Sequence, residues 1–242
     1  MKKIVLGTSL VLAMVLGSGC GDSDSKKSID DVVVDFKNAA TYNLSEYVVP
    51  SQAQTNNYAE KVFKNSDGKK KYDAVADEEN FTSKVYDING STVRSLVGGQ
   101  LDESYTTVAN KINQVDDDGL LTQFARYADT GDYISKVVRS MSNGLKMKQA
   151  CKLNKKIDSK VINNVTYSDI LEVVCTVENS GEGTTLGQTF KVASDGEIVS
   201  LFAKGEGMIS TISEGCTKTT LGSIEKETCE KSVETITNIL KN

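Results

Sequence analysis

Apolar and polar residues alternate over short runs through most of this chain, and turn-forming dipeptides separate the runs. Between about residues 43 and 212, Asp67-Gly68, Asn89-Gly90, Asp118-Gly119, Thr130-Gly131 and Asp195-Gly196 each lie between segments that read as strands. Asn-Gly and Asp-Gly favour turns whose twist matches that of antiparallel strands. Val85, Tyr86 and Ile88 precede the turn at 89–90, and Val93, Leu96 and Val97 follow it. Phe190 and Val192 are placed opposite Ile198, Ser200 and Phe202 across a turn at 195–196. A single proline in the whole chain leaves such strands uninterrupted. The pattern predicts a mainly β fold, an antiparallel meander or an open barrel. Residues 133–141 fit either period.

Both ends change period. Ile29, Val32, Val33, Phe36 and Ala40 fall at helical spacing, and Ser28 with Asp31 gives a start like a capping box. The β-branched run Val32-Val33-Val34 pulls the other way. Cys229, Val233, Ile236 and Leu240 form one apolar stripe at helical spacing, which predicts a C-terminal helix. Residues 29–242 thus read as one β-rich domain between two helices. An internal sub-boundary falls near 142–144, because four of the five cysteines lie beyond it.

The first twenty residues belong to a different grammar. Met1-Lys2-Lys3 is basic, residues 4–16 are apolar apart from Gly7, Thr8 and Ser9, and Gly17-Ser18-Gly19 is a small-residue stretch ending at Cys20. That is the anatomy of an export signal over 1–19, too short to span a membrane. A cysteine directly after such a stretch resembles the lipobox of bacterial lipoproteins, although Leu16 stands one place further out than the usual lipobox leucine. The resemblance implies a Cys20 thiol carrying diacylglycerol, an N-terminus acylated with a chain such as palmitate, and a lipidated tether over 20–28. Gly17 and Gly19 also suit ordinary signal cleavage, which leaves Cys20 unmodified. Cysteine arithmetic favours lipidation, since removing Cys20 leaves an even set, Cys151, Cys175, Cys216 and Cys229. Gly21 is not the aspartate that holds enteric lipoproteins at the inner membrane. The resemblance therefore implies a cell-envelope protein on the outer membrane, facing the periplasm or the cell surface.

Composition narrows the chemistry. A net charge of −5 with 28 Lys+Arg leaves no basic footprint for nucleic acid. The absence of His removes Ser-His-Asp and Cys-His catalysis and imidazole metal sites. The absence of Trp removes the preferred stacking platform of many sugar sites. No catalytic residue, metal site or cofactor is expected.

Four groups of residues carry more specific expectations. Local pairing of the cysteines predicts disulfides Cys151–Cys175, between neighbouring strands, and Cys216–Cys229, from a strand to the C-terminal helix. Lys146, Lys148, Lys152, Lys155, Lys156 and Lys160 read either as a surface for anionic lipid or, more simply, as the solvated face of a hairpin. Asp116-Asp117-Asp118-Gly119 lacks the first and last ligands of an EF-hand loop and reads as an acidic hairpin turn. Asn80 and Asn89 each have an acid two places before them and Ser or Thr two places after, which resembles the extended acceptor of bacterial N-glycosylation.

Finally, residues 202–209, Phe-Ala-Lys-Gly-Glu-Gly-Met-Ile, resemble a phrase found in exported β-rich lipoproteins, and the two glycines there point to a kink between strands. The expected role is a non-enzymatic binding or structural module at the envelope, held to the membrane by the N-terminal lipid. It would meet an envelope protein or an apolar ligand. The alternatives are a carrier of lipid in an open barrel and, least favoured, a carboxylate-based hydrolase.

Overall fold

The computed structural model describes residues 28–140, 144–185 and 188–241. Twelve antiparallel strands close into a barrel, in up-and-down order along the chain. They are β2 (Gln54–Asn65), β3 (Glu78–Asn89), β4 (Thr92–Val97), β5 (Gln100–Val108), β6 (Lys111–Asp116), β7 (Leu121–Ala125), β9 (Tyr133–Ser140), β10 (Lys146–Ile162), β11 (Val165–Thr185), β12 (Gln188–Ala203), β13 (Gly207–Leu221) and β14 (Ile224–Lys241). Two short strands, β1 (Tyr42–Asn43) and β8 (Tyr127–Ala128), pair with each other outside this ring. The ring is closed by the ladder of β14 on β2, from Cys229↔Asn65 to Lys241↔Gln54. It is therefore a closed barrel and not an open one. Its weakest line is β7 against β9, joined at the single pair Phe124↔Ser135.

Neither expected helix forms. At the N-terminus Ser28 Oγ accepts the Asp30 N–H and a single 3-10 turn follows at Ile29–Asp31, after which Val32 is already extended. The β-branched triplet outweighs the helical spacing. The C-terminal segment is the strand β14. It contains Thr228, Val233, Thr235, Ile236, Thr237 and Ile239, residues suited to a pleated surface. As a strand it satisfies the free edges of β13 and β2 together. Cys229 and Ile236 are seven residues apart, so a period of two sends the supposed helical stripe to opposite faces.

The expected turn at Asp195-Gly196 is also absent, since β12 runs unbroken through it. Gly196 stands there because a Cβ would lie 3.0 Å from the Glu214 carbonyl oxygen of β13. Close strand approach, and not chain reversal, is what this glycine serves. Residues 133–141, open at the level of sequence, contain strand β9. Positions 142 and 143 lie outside the described residues, and the strands on either side of them pair with each other.

Residues 42–51 plug one end of the ring. Leu44 and Tyr47 are buried among Ile112, Ala125, Ile134, Met147, Leu153 and Val173 of the barrel wall. The plug is held at the rim by backbone bonds: Leu44 N–H to the Arg126 carbonyl (2.7 Å), Gly205 N–H to Glu46 (2.7 Å) and Ser51 N–H to Gly205 (2.9 Å). Gly205 and Gly207 sit at φ +78° and +81°, and a Cβ on Gly207 would press on the Pro50 ring. The glycine pair in 202–209 thus makes the β12–β13 turn and the seat of the plug. The hairpin of β10 and β11 bends over the same end. Its Ile162, Tyr167 and Ile170 form a second core with Tyr58, Ile209 and Ile236, and Asn163 donates to the Ile236 carbonyl (2.7 Å).

Outward positions carry charge in mid-strand, as in the Lys61–Glu79 ion pair. Such a surface does not form a lipid-facing apolar band. No helix among the described residues is long and apolar enough to cross a membrane.

Because Leu44 fills the lumen without belonging to the ladder, Leu44→Ala should cost about 2–5 kcal/mol. Chemical denaturation should show this as a lower midpoint with an unchanged slope, whereas a Leu44 that lay outside the core would leave the midpoint in place.

Candidate functional site

The lumen under the plug has two unlike walls. One is apolar, built by Ile134, Leu171, Val173, Ile198 and Phe202 with the Cys151–Cys175 disulfide. The other, from β3 to β6 and β14, is polar. Alternation puts Lys84 and Tyr86 of β3, Ser95 of β4, Glu103 and Tyr105 of β5 and Gln114 of β6 on its inner face. A bulge in the β4–β5 ladder between Ser95 and Leu96 brings Asp102 in beside them.

These groups satisfy one another. Lys84 Nζ lies 2.8 Å from Asp102 Oδ2 and 4.0 Å from Glu103 Oε2, all three side chains being less than a tenth exposed. Ser95 Oγ donates to Asp102 (3.2 Å), Tyr105 Oη to Glu103 (2.6 Å), and Gln114 Nε2 to the other Glu103 oxygen. Lower in the lumen Arg139 faces Asp116 at 3.6 Å. Burial alone would lower the Lys84 pKa, but the charges of Glu103 and Asp102 outweigh it and hold the ammonium above its ordinary range. Burial first, and then Glu103, pushes the Tyr105 hydroxyl well up. Glu234 of β14 faces the same cluster. Burial, opposed by Lys84 and reinforced by Glu60, Asp102 and Glu103, raises its carboxyl from 4.5 to about 7.

The space left between the walls is about 80 Å³. That holds on the order of five waters and falls short of the roughly 300 Å³ at which small-molecule pockets begin. Each carboxylate of the polar wall is engaged by a lysine, arginine, hydroxyl or amide, or is driven toward its neutral form. The arrangement resembles a structural polar network more than an exposed acid and base.

The residues singled out in the sequence lie mostly elsewhere. Cys20, the signal 1–19 and tether positions 20–27 lie outside the described residues. Cys151–Cys175 and Cys216–Cys229 each join directly opposed residues of neighbouring strands. The second links strand to strand, not strand to helix. Asn89 is exposed at the β3–β4 turn, while Asn80 stands within β3 and donates to Glu60 at 3.1 Å. Of the basic stretch, Lys148 pairs with Asp30, Lys155 with Glu172 and Lys156 with Asp169. Asp117-Asp118-Gly119 forms the β6–β7 turn, and Asp116 Oδ1 accepts the Leu120 N–H (2.7 Å). Among the described residues no group of His, Cys, Asp or Glu is arranged to hold a metal ion. The Lys84 network escaped the sequence reading, although parity with Tyr86 and Ile88 carries the signal that Lys84 points inward.

Because the folded state holds the Glu234 proton up to about pH 7 and the unfolded chain releases it near 4.5, stability should fall as pH rises through that window. Glu234→Gln should therefore stabilise the protein by about 1–2 kcal/mol at pH 8 and have no such effect at pH 4. Thermal unfolding of both forms across this range checks the sign, and equal shifts at both pH values would contradict it. No protein-family profile, curated protein or solved structure matches this chain.

Proposed function

We propose that this protein is a lipid-anchored envelope protein that works as a non-enzymatic binding or structural module, with Cys20 as the anchor. The observation that carries the non-enzymatic part is the filled lumen. Plug, apolar wall and Lys84 network together leave about 80 Å³, so partners meet the outer surface and the exposed turns. The even cysteine set, closed in two disulfides, supports an exported chain. The outward charges support attachment through lipid in place of spanning strands. On this reading Asn89, free in its turn, is the better glycan acceptor of the two sequons.

A carrier of apolar ligands remains the second reading, favoured by the apolar wall over Ile134, Val173 and Ile198. It requires residues 42–51 to leave the lumen. A hydrolase finds less support, because the Lys84 network already engages its own carboxylates.

Cys20→Ala should abolish fatty-acid labelling in the exporting host and release the protein from membranes. Labelling of the Ala variant would remove the anchor from this account. Organic extraction of the native protein, weighed by mass spectrometry, should yield no stoichiometric lipid beyond the covalent chains. Recovery of one lipid per barrel would favour the carrier instead.

A further inference from the structure

The barrel wall closes weakly along one line. Strands β7 and β9 run side by side, but among the described residues they pair only at Phe124↔Ser135. Lys136 to Ser140 of β9 pair with β10 on one side, and on the other no ladder continues toward Leu121, Thr122 and Gln123 of β7. Two facing strand edges thus lack the backbone partners that the rest of the ring has. Arg139 stands in for part of the missing ladder. Its Nη2 donates to the Leu121 carbonyl (3.3 Å) and to Thr122 Oγ1 (2.8 Å).

Along this line lies a groove of about 620 Å³, within the size range of sites that take a ligand. Its lips are apolar. Leu121 (53% exposed) and Val138 (58% exposed) face solvent, and Val34 and Phe36 of the N-terminal segment complete the lining. The two charged residues of that lining, Lys136 and Arg139, are both cations. Lys136 Nζ donates to the carbonyls of Asp30 (2.7 Å) and Val32 (3.0 Å). Arg139 Nη1 is buried without a hydrogen bond, and Asp116 Oδ2 stands 3.6 Å away. In a protein of net charge −5 this is a cationic spot between two strand edges.

We propose that the groove takes an extended acidic segment of another envelope protein, added as a strand on the free edge of β9. This rests on the binding-module reading above and gives its partner a place and a chemistry. Three features select such a segment. Unpaired strand edges are satisfied along their length by another backbone, which a lipid or a small ligand does not supply. The cations at positions 136 and 139 match a carboxylate. The apolar lips match β-branched side chains at alternate positions, because an added strand turns every second residue outward. As the segment enters, its backbone takes the Leu121 carbonyl from Arg139, and the freed guanidinium turns to the segment's carboxylate.

The probe is a fluorescein-labelled peptide, Val-Thr-Val-Glu-Val-Thr-Val, titrated into the Cys20→Ala protein and followed by anisotropy. That protein carries no lipid, so the outcome is independent of the anchor, which fatty-acid labelling tests separately. Binding should saturate, and exchanging Glu for Gln should weaken it about tenfold, as expected of one charge-assisted hydrogen bond. In one of the two patterns of alternate backbone N-methylation binding should be lost, because one edge of the peptide faces β9. A diazirine on the residue after Glu should label positions 120–124 and 136–140. In Arg139→Gln, which keeps amide donors for Leu121 and Thr122, the preference for Glu over Gln should fall to within about twofold. If that variant does not fold, the label map and the peptide pair decide instead. No binding below about 1 mM, equal binding of the Glu and Gln peptides, or labelling confined to other parts of the barrel would overturn the inference. So would a dimer that the peptide dissociates, since a second copy of the chain would then be the occupant. Failure here with lipid labelling intact leaves the anchored module standing and removes only this groove.

Discussion

The fold depends on one ladder, the pairing of β14 with β2. Without it a sheet of this length ends in two bare edges, and a long exposed edge invites pairing with other chains. With it, the last strand of the chain meets the first long one, from Cys229↔Asn65 to Lys241↔Gln54. Closure also creates an interior. Once the sheet has no edges, its inward residues must be filled, satisfied or solvated, and the plug, the apolar wall and the Lys84 network are the three answers found here.

The interior answers differ because the strands differ. Strands β10 to β12 bring Cys151, Leu153, Val173, Val177 and Ile198 inward and pack against Leu44 and Tyr47. Strands β3 to β6 bring Lys84, Glu103, Tyr105 and Gln114. Breaking a buried ion pair by removing one partner leaves an uncompensated charge, whereas replacing the whole set by apolar groups is often tolerated. Removing Lys84 alone should therefore cost more than replacing the whole set by apolar residues of similar volume. The same network engages the carboxylates of Asp102 and Glu103 through Lys84, Ser95, Tyr105 and Gln114.

Much of the strand pattern was legible. Asn89-Gly90 marked a real hairpin because a turn with positive φ needs that chemistry, and Gly90 has φ +62°. Gly205 and Gly207 marked the β12–β13 kink for a similar reason. Asp195-Gly196 misled because glycine serves both turns and close strand contacts, and only the neighbouring strand distinguishes them. The stripe Cys229, Val233, Ile236 and Leu240 misled because helical spacing over four residues does not exclude a strand rich in Thr, Val and Ile. The interior network was illegible as a cluster, since its members come from β3, β4, β5, β6 and β14 and meet only when the sheet curls. The plug was illegible too: nothing in residues 42–51 announces that they turn back into a lumen formed by strands that follow them.

The single pair Phe124↔Ser135 has a consequence for how the barrel comes apart. On one side of that seam lie β2 to β7, mostly short and without a disulfide; on the other lie β9 to β14, longer and stapled twice. Local opening follows the line with the least pairing to lose. Local opening is therefore expected to begin along this seam, against the Arg139 contacts to Leu121 and Thr122 that also cross it. Strands β2 to β7 should then exchange their amide hydrogens at a lower free energy than the stapled strands.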